Sequence, residues 1–382
     1  MFVETSVASI SKYNEELCGD NVEIVENEDS KIIVLSDGLG SGVKANILST
    51  LTTKIASRLL KKGVPLEEVV DTITNTLPVC KERQLAYSTL SILQIFNDGK
   101  AYLVEMDNPT SFFIDSKGNI SKIEMKTRKV ADKKINEAYF RLKNNEMIML
   151  VSDGVTHAGI GGLLNFGLGW DGIAEHFERI IGKYQSSNKL VEELIEVCNA
   201  YYCMEPGDDT TAVIAHFREE RELTLFSGPP KSIQRDKEIV NKLISNSGKK
   251  VIAGGTSAQI VSRELDKELE VSLVYYDPEI PPTSQLDGID LVTEGLLTLN
   301  KTVERIININ CQEDLPKQRD GATELARLLL ESDSIKMLIG KKINPAHQSL
   351  RLPENMAIRK QIVKRLVNCL KDKGKKVIVE WF

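Results

Sequence analysis

The chain has 382 residues, more than one hydrophobic core usually supports, so two domains are expected. Its composition, 41% hydrophobic and 27% charged, excludes a disordered or fibrous chain. A formal net charge of −6 gives no reason to expect nucleic acid or an acidic membrane surface as a partner.

Val22 to Val25 and Ile32 to Leu35, joined by Asn27-Glu28-Asp29-Ser30, read as a hairpin. Beyond Asp37-Gly38 a glycine-rich turn enters a helical period at Gly42. Val43, Ile47, Leu48, Leu51, Ile55 and Leu59 form its apolar stripe, and Lys61-Lys62-Gly63 its stop. Pro65 and Glu67-Glu68 open a second helix, which carries Val69, Val70, Ile73 and Leu77 as far as Pro78. Two hairpins follow: Ser88 to Phe96 with Ala101 to Met106, and Ser111 to Ile114 with Ile120 to Met125. An apolar strand then runs from Met147 to Asp153, followed by a glycine-rich insertion from Gly159 to Gly172. Helical patterns cover about 172–183 and 190–202, and a strand leads from Asp208 through Phe217. Hairpins with helical pairs between them indicate antiparallel sheets faced by helices.

The pattern changes after Arg218-Glu219-Glu220-Arg221. Strands at Lys249–Ala253, Leu269–Tyr275, Ile335–Ile339 and Val377–Glu380 alternate with helices at Ala258–Leu265, Leu325–Glu331 and Ile358–Leu370. That alternation reads as a separate α/β domain. Within it, Gly254-Gly255-Thr256-Ser257 lies between a strand and a helix, where backbone amides could hold a phosphate or other anion, but it reads first as a tight turn with Thr256 or Ser257 as helix N-cap.

No apolar run reaches the roughly 20 residues of a membrane span. The opening M-F-V-E-T-S-V has an early acid and no basic n-region, so a cytoplasmic protein without a signal peptide is expected. The six cysteines, at 18, 80, 198, 203, 311 and 369, form no C-x-x-C pair and suggest no disulfide framework. Cys80 lacks the glycine-rich loop that a thiol phosphatase needs. Cys198 and Cys203 read as core packing on one helical pattern.

Four acidic corners remain to be explained. Gly19-Asp20 precedes a strand, Asp37-Gly38 and Asp153-Gly154 end strands, and Gly207-Asp208-Asp209-Thr210-Thr211 opens one. Any single Asp-Gly is a common turn dipeptide. Four such carboxylates brought together would repel without a counter-ion, and hard divalent cations take oxygen ligands.

The ordered set Gly19-Asp20, Asp37-Gly38-Leu39-Gly40-Ser41-Gly42, Ser152-Asp153-Gly154-Val155-Thr156 and Gly207-Asp208-Asp209-Thr210-Thr211 resembles the PPM superfamily of metal-dependent Ser/Thr phosphatases. Its bacterial branch, typified by the stage II sporulation E phosphatase, is the best match. The resemblance covers residues 1–218. It implies an α+β fold, an αββα sandwich of two antiparallel sheets flanked by helical pairs, followed by a smaller α/β domain over 222–382. It implies two Mn²⁺ or Mg²⁺ ions, with Asp37 bridging both. Asp153 and Asp208 would complete one site, Asp20 and the Gly38 carbonyl the other, and Asp209 would stand beside them. A metal-bridging water would attack phosphorus directly; no other cofactor is implied. Where other members of the superfamily carry a general-acid His, this chain has Leu39. His157 stands where the branch commonly has an acid, and reads as a solvated loop residue.

The expected function is thus a Mn/Mg-dependent protein serine/threonine phosphatase with a regulatory role. Its substrate would be a phosphorylated regulatory protein, and its C-terminal domain would serve sensing, docking or homodimer formation. The rival reading is a catalytically silent metal-binding scaffold whose C-terminal domain binds a ligand or partner. A third is a phosphatase for a small metabolite.

Overall fold

The computed structural model describes residues 1–76, 88–130, 133–184, 186–309, 314–342 and 352–382. The expected helix end at Leu77-Pro78, Cys80 and Cys311 lie outside the described residues. The chain divides into two compact units, Met1–Glu219 and Glu220–Phe382.

The first unit contains strands β1 (Phe2–Ile10), β2 (Asp20–Glu26) and β3 (Ser30–Asp37), then helices α1 (Gly42–Lys61) and α2 (Leu66–Thr76). Strands β4 (Leu90–Phe96), β5 (Lys100–Met106), β6 (Phe112–Ile114), β7 (Ile120–Lys122), β8 (Lys126–Val130), β9 (Lys133–Arg141) and β10 (Glu146–Val151) follow. The one-turn α3 (Asp153–Thr156), α4 (Gly169–Ile180), α5 (Ser187–Tyr201) and β11 (Thr210–Arg218) complete it. One sheet has the order β1-β11-β10-β6-β7 and the other β2-β3-β4-β5-β9-β8; every pairing in both is antiparallel.

Strand alternation sorts the core into three layers. Ile33, Leu35, Leu93, Ile95 and Leu103 meet Ile148, Leu150, Val213, Ala215 and Phe217 between the sheets. The opposite faces of the same strands take the helices. Ile32, Val34, Ile92 and Val104 pack with Leu48, Ala56, Val69 and Val70 of α1 and α2. Met149, Val151, Ala212 and Ile214 pack with Ile173, Phe177, Leu190 and Leu194 of α4 and α5. Period-2 strands with both faces apolar are what two helical layers around two sheets require. This is the αββα sandwich.

Two readings of this unit need correction, and three of its strands were not expected. The stripe on α1 faces the core only in part: Leu48 is buried and Ile55 and Leu59 pack partly against it, but Val43, Ile47 and Leu51 are exposed. Its buried residues are Ala45, Leu48, Ser49, Thr52, Thr53, Ala56 and Ser57 besides Gly42. Small side chains let the helix lie close on β2 and β3, and the hydroxyls of Ser49, Thr52, Thr53 and Ser57 bond to carbonyls three or four residues back. Cys198 is buried, but Cys203 is exposed, because α5 ends at Tyr201 and Cys203 turns with φ 56°. Strands β1, β8 and β9 had no sequence expectation.

The second unit has strands β12 (Glu222–Ser227), β13 (Lys249–Ala253), β14 (Glu270–Val271), β15 (Ser284–Gln285), β16 (Leu291–Thr293), β17 (Ser334–Ile339) and β18 (Lys376–Trp381). Its helices are α6 (Asp236–Ile244), α7 (Gly255–Leu265), α8 (Leu296–Ile307), α9 (Gly321–Glu331) and α10 (Leu352–Asp372). Five parallel strands stand in the order β16-β13-β12-β17-β18, with β14 and β15 as an antiparallel edge. Ranked by sequence the parallel strands run 3-2-1-4-5, a doubly wound α/β sheet with a mixed edge. Helices α6 and α7 cover one face through Ile239, Val240, Leu243, Ala258 and Val261. Helices α8, α9 and α10 cover the other through Leu299, Val303, Leu325, Leu329 and Leu366.

The N-cap of α7 is Gly254, at φ 133°, rather than Thr256 or Ser257. The Ser257 hydroxyl instead accepts from the Gly228 N–H at 2.8 Å, tying β12 to α7. The segment from Leu269 to Tyr275 forms a strand only at Glu270–Val271.

Candidate metal centre

The acidic corners lie at the ends of strands from both sheets. Strand β3 carries Ile32 to Leu35 fully buried and ends at Asp37; β2 runs antiparallel to it, and its register sets Asp20 directly opposite Asp37. A hydrogen bond from Gly38 N–H to the Gly19 carbonyl, 3.2 Å, closes that end. In the other sheet β10 ends at Val151, and Ser152 locks onto β11. Its N–H donates to the Thr211 carbonyl, and its hydroxyl accepts from Thr211 N–H, each at 2.9 Å. Asp153 and the Asp208-Asp209 pair flank that lock.

The loops are packed too tightly for side chains other than hydrogen. A Cβ on Gly38 would lie 2.0 Å from the Ala45 carbonyl oxygen, and one on Gly154 would lie 2.1 Å from that of Asp209. The Asp37 N–H donates to Thr89 Oγ1 at 3.0 Å, and the Ser88 hydroxyl and Thr89 N–H both donate to its carbonyl. The backbone of Asp37 is therefore fixed while its carboxylate is left without these donors.

The carboxylates feel one another. Burial first, and then the charges of Asp20, Asp153, Asp208 and Asp209, push the Asp37 carboxyl well above the ordinary carboxylate range. Asp20 is likewise raised by burial; the nearby Ser152 and Thr211 hydroxyls oppose the shift, and the charges of Asp209 and Asp153 add to it. Asp208 is raised by burial and by Asp153, against the Asp209 N–H and the Lys12 ammonium. Five acids spread over four corners thus share one electrostatic neighbourhood.

Lys12 is a member of this neighbourhood that sequence reading missed. Its N–H donates to Asp209 Oδ1 at 3.0 Å, and its ammonium is the cation acting on Asp208. The signal was faint: one lysine in a polar stretch before Gly19-Asp20. Cys18 borders the same cluster, and burial, then Asp20, push its thiol up to about 12. It is a neutral thiol there. His157 is half-exposed, with Nδ1 3.7 Å from Asp153 Oδ2. Leu39 packs partly against the core shared with α1 and α2.

The residues fit hard cations. Both oxygens of Asp20, Oδ1 of Asp153 and Oδ2 of Asp209 are buried without a hydrogen-bond partner. Buried carboxylate oxygens are rarely left so unless something absent from the chain engages them. Among the described residues, no three His, Cys, Asp or Glu side chains form a ready-made grip on a single ion. A small divalent cation of the Mg²⁺ type does not demand one, since it keeps several waters and is commonly held by one or two carboxylates.

The family model for stage II sporulation protein E (SpoIIE) matches residues 27–218. The chain belongs to the SpoIIE family. Stage II sporulation protein E of Priestia megaterium is 23% identical to it over 158 residues, which are 40% of this chain and 27% of that protein. The chain therefore spans about a quarter of the length of that SpoIIE relative. Among solved structures, the PP2C phosphatase domain with a regulatory-domain fragment of SpoIIE from Bacillus subtilis is 20% identical. It covers 57% of this chain and 64% of that one, with a TM-score of 0.48. The RsbU and RsbW domains of Rv1364c from Mycobacterium tuberculosis are 14% identical, with coverages of 63% and 67% and a TM-score of 0.49. RsbX in complex with magnesium is 18% identical, with coverages of 56% and 94% and a TM-score of 0.41. No helix among the described residues is long and apolar enough to cross a membrane.

Proposed function

We propose that the chain is a Mn²⁺- or Mg²⁺-dependent phosphoprotein phosphatase that hydrolyses phosphoserine or phosphothreonine. The observation that carries this reading is the pairing of Asp20 with Asp37 at one sheet's edge, beside Asp153, Asp208 and Asp209 from the other. Several of their oxygens are buried and unsatisfied.

Asp20, Asp37, the Gly38 carbonyl, Asp153 and Asp208 are the groups that would hold two ions, and Asp209 supports them. When bound, divalent cations supply the positive charge that activates water and stabilises a phosphoryl group. The chain's own part is to fix the donors. The Lys12 N–H holds Asp209, the Ser152–Thr211 lock sets the spacing of Asp153 and Asp208, and the glycine contacts leave the loops no slack. The Lys12 ammonium acts on Asp208, offsets part of the excess of negative charge, and is the cation that would favour an approaching phosphate. The substrate is a phosphorylated regulatory protein, and the doubly wound unit is a sensing, docking or dimerisation module for this activity. The site of action is the cytoplasm.

The test is hydrolysis of p-nitrophenyl phosphate and a phosphothreonine peptide with Mn²⁺, Mg²⁺ or chelator. Activity should require the metal and fall at least ~10³-fold in Asp37→Asn and Asp208→Asn. Metal-independent turnover that survives both substitutions would refute the reading.

A further inference from the structure

Between α3 and α4 the chain runs from Ala158 to Leu168 as A-G-I-G-G-L-L-N-F-G-L, without a charged residue. Such a segment ought to be buried. Instead Ile160 is 48% exposed, Leu163 63% and Phe166 89%, the largest value of any large apolar side chain among the described residues. These side chains are displayed by a shaped loop. The Ile160 N–H donates to the His157 carbonyl, Leu164 N–H to Gly159, and Leu168 N–H to Ala158, at 2.9 to 3.0 Å. Leu168 and Trp170 root its far end in the core under β10 and β11.

The loop is rooted beside the candidate centre. Gly167 lies so close to its stem that a Cβ there would be 2.5 Å from the Thr156 carbonyl oxygen and 2.9 Å from His157 Cα. The His157 N–H in turn donates to the Asp153 carbonyl at 2.8 Å. Both ends of the loop therefore meet one turn from a carboxylate of the centre.

We infer that Ile160, Leu163 and Phe166 form the docking surface for the protein that carries the phosphorylated residue. The surface selects substrates with apolar side chains flanking that residue. This rests on the phosphatase reading above: a phosphoryl group within reach of Asp153 brings its flanking chain over this loop. A small phosphorylated metabolite would leave the three side chains uncovered. The chemistry is also matched, since an uncharged contact adds no repulsion to a phosphate approaching an acidic centre.

The experiment uses the full chain with Mn²⁺ and a Leu163→Ser/Phe166→Ser variant. The probes are p-nitrophenyl phosphate and two phosphothreonine peptides, one flanked by Leu and Phe and the other by Gly and Ser. The wild type should favour the apolar peptide by ~10-fold or more in kcat/KM. The variant should lose that preference while its p-nitrophenyl phosphate turnover and calorimetric Mn²⁺ affinity stay within about twofold of wild type. Equal kcat/KM for the two peptides in the wild type, or a preference that survives in the variant, would overturn the inference. So would a wild-type dimer that the variant dissolves. Fluorescence anisotropy of the same peptides on the metal-free chain reads the preference without turnover. If no probe is hydrolysed, the phosphatase reading fails, and the anisotropy preference decides the docking surface by itself.

Discussion

Asp20 and Asp37 stand directly opposite each other across antiparallel β2 and β3, both carboxyls raised by burial and by neighbouring acids. A sheet does not place like charges face to face for its own stability, because such pairs are destabilising. The pair has a cost in the metal-free chain, and that cost depends on pH. Each group's folded pKa lies above its unfolded value, so its contribution is fully present below the ordinary aspartate range and is lost as pH rises through the raised values. The metal-free chain should therefore lose thermal stability between about pH 4 and about pH 9, from the ordinary aspartate range up through about 7 for Asp20 and about 9 for Asp37. Asp37→Asn should flatten that slope, and saturating Mn²⁺ should remove it. Thermal melts across pH check this, and a slope unchanged by both would count against a shared electrostatic centre.

Gly38 and Gly154 are tests of geometry rather than charge. Each would place a Cβ about 2 Å from a carbonyl oxygen, of Ala45 and Asp209 respectively. Backbone must move, at a cost of ~1–3 kcal/mol. Gly38→Ala and Gly154→Ala should lower the melting temperature and weaken Mn²⁺ binding together. Gly63→Ala, at a position with open space but φ 78°, should affect stability alone.

Lys12 separates its backbone from its side chain. The N–H that holds Asp209 survives any substitution except proline, while the ammonium does not. Lys12→Met should keep the fold and Mn²⁺ affinity, cut kcat/KM by ~10–100-fold, and relieve inhibition by inorganic phosphate. Unchanged phosphate inhibition would remove Lys12 from the phosphate's path.

On α1 the two faces make opposite predictions. Leu48 is buried against β3 and β4, so Leu48→Ala should cost ~2–4 kcal/mol. Val43 and Ile47 are exposed, so Val43→Ser and Ile47→Ser should stay within about 0.5 kcal/mol in chemical denaturation.

Much of this fold could be read from the sequence because its strands are short apolar runs separated by polar turns such as Asn27-Glu28-Asp29-Ser30 and Asn97-Asp98-Gly99. The hairpins of β2–β3 and β4–β5 follow from that pattern. Strand β1 could not be read, since F-V-E-T-S-V-A-S-I is weakly patterned and becomes a strand by pairing along its whole length with β11. Strand β8 is rich in lysine and arginine and lies at the sheet edge, where charge is tolerated, and β9, which opens with Lys133-Lys134, lies between it and β5. The α1 stripe misled because apolar periodicity marks the buried face only when that face has room for large side chains. Here close approach to the sheet selects Ala, Ser and Thr instead. At the centre, the aspartates were visible because strand ends and glycine turns announce them. Lys12 was not, because a cation that acts through space leaves no local pattern.

The claim on which everything rests is that these acids hold divalent ions. Isothermal titration of the metal-free chain with Mn²⁺ tests it most directly. The account predicts two bound ions per chain, with at least one lost in both Asp37→Asn and Asp208→Asn while the fold persists by circular dichroism. No saturable binding in the wild type, or unchanged binding in both variants, would mean that the acidic corners are turns and nothing more.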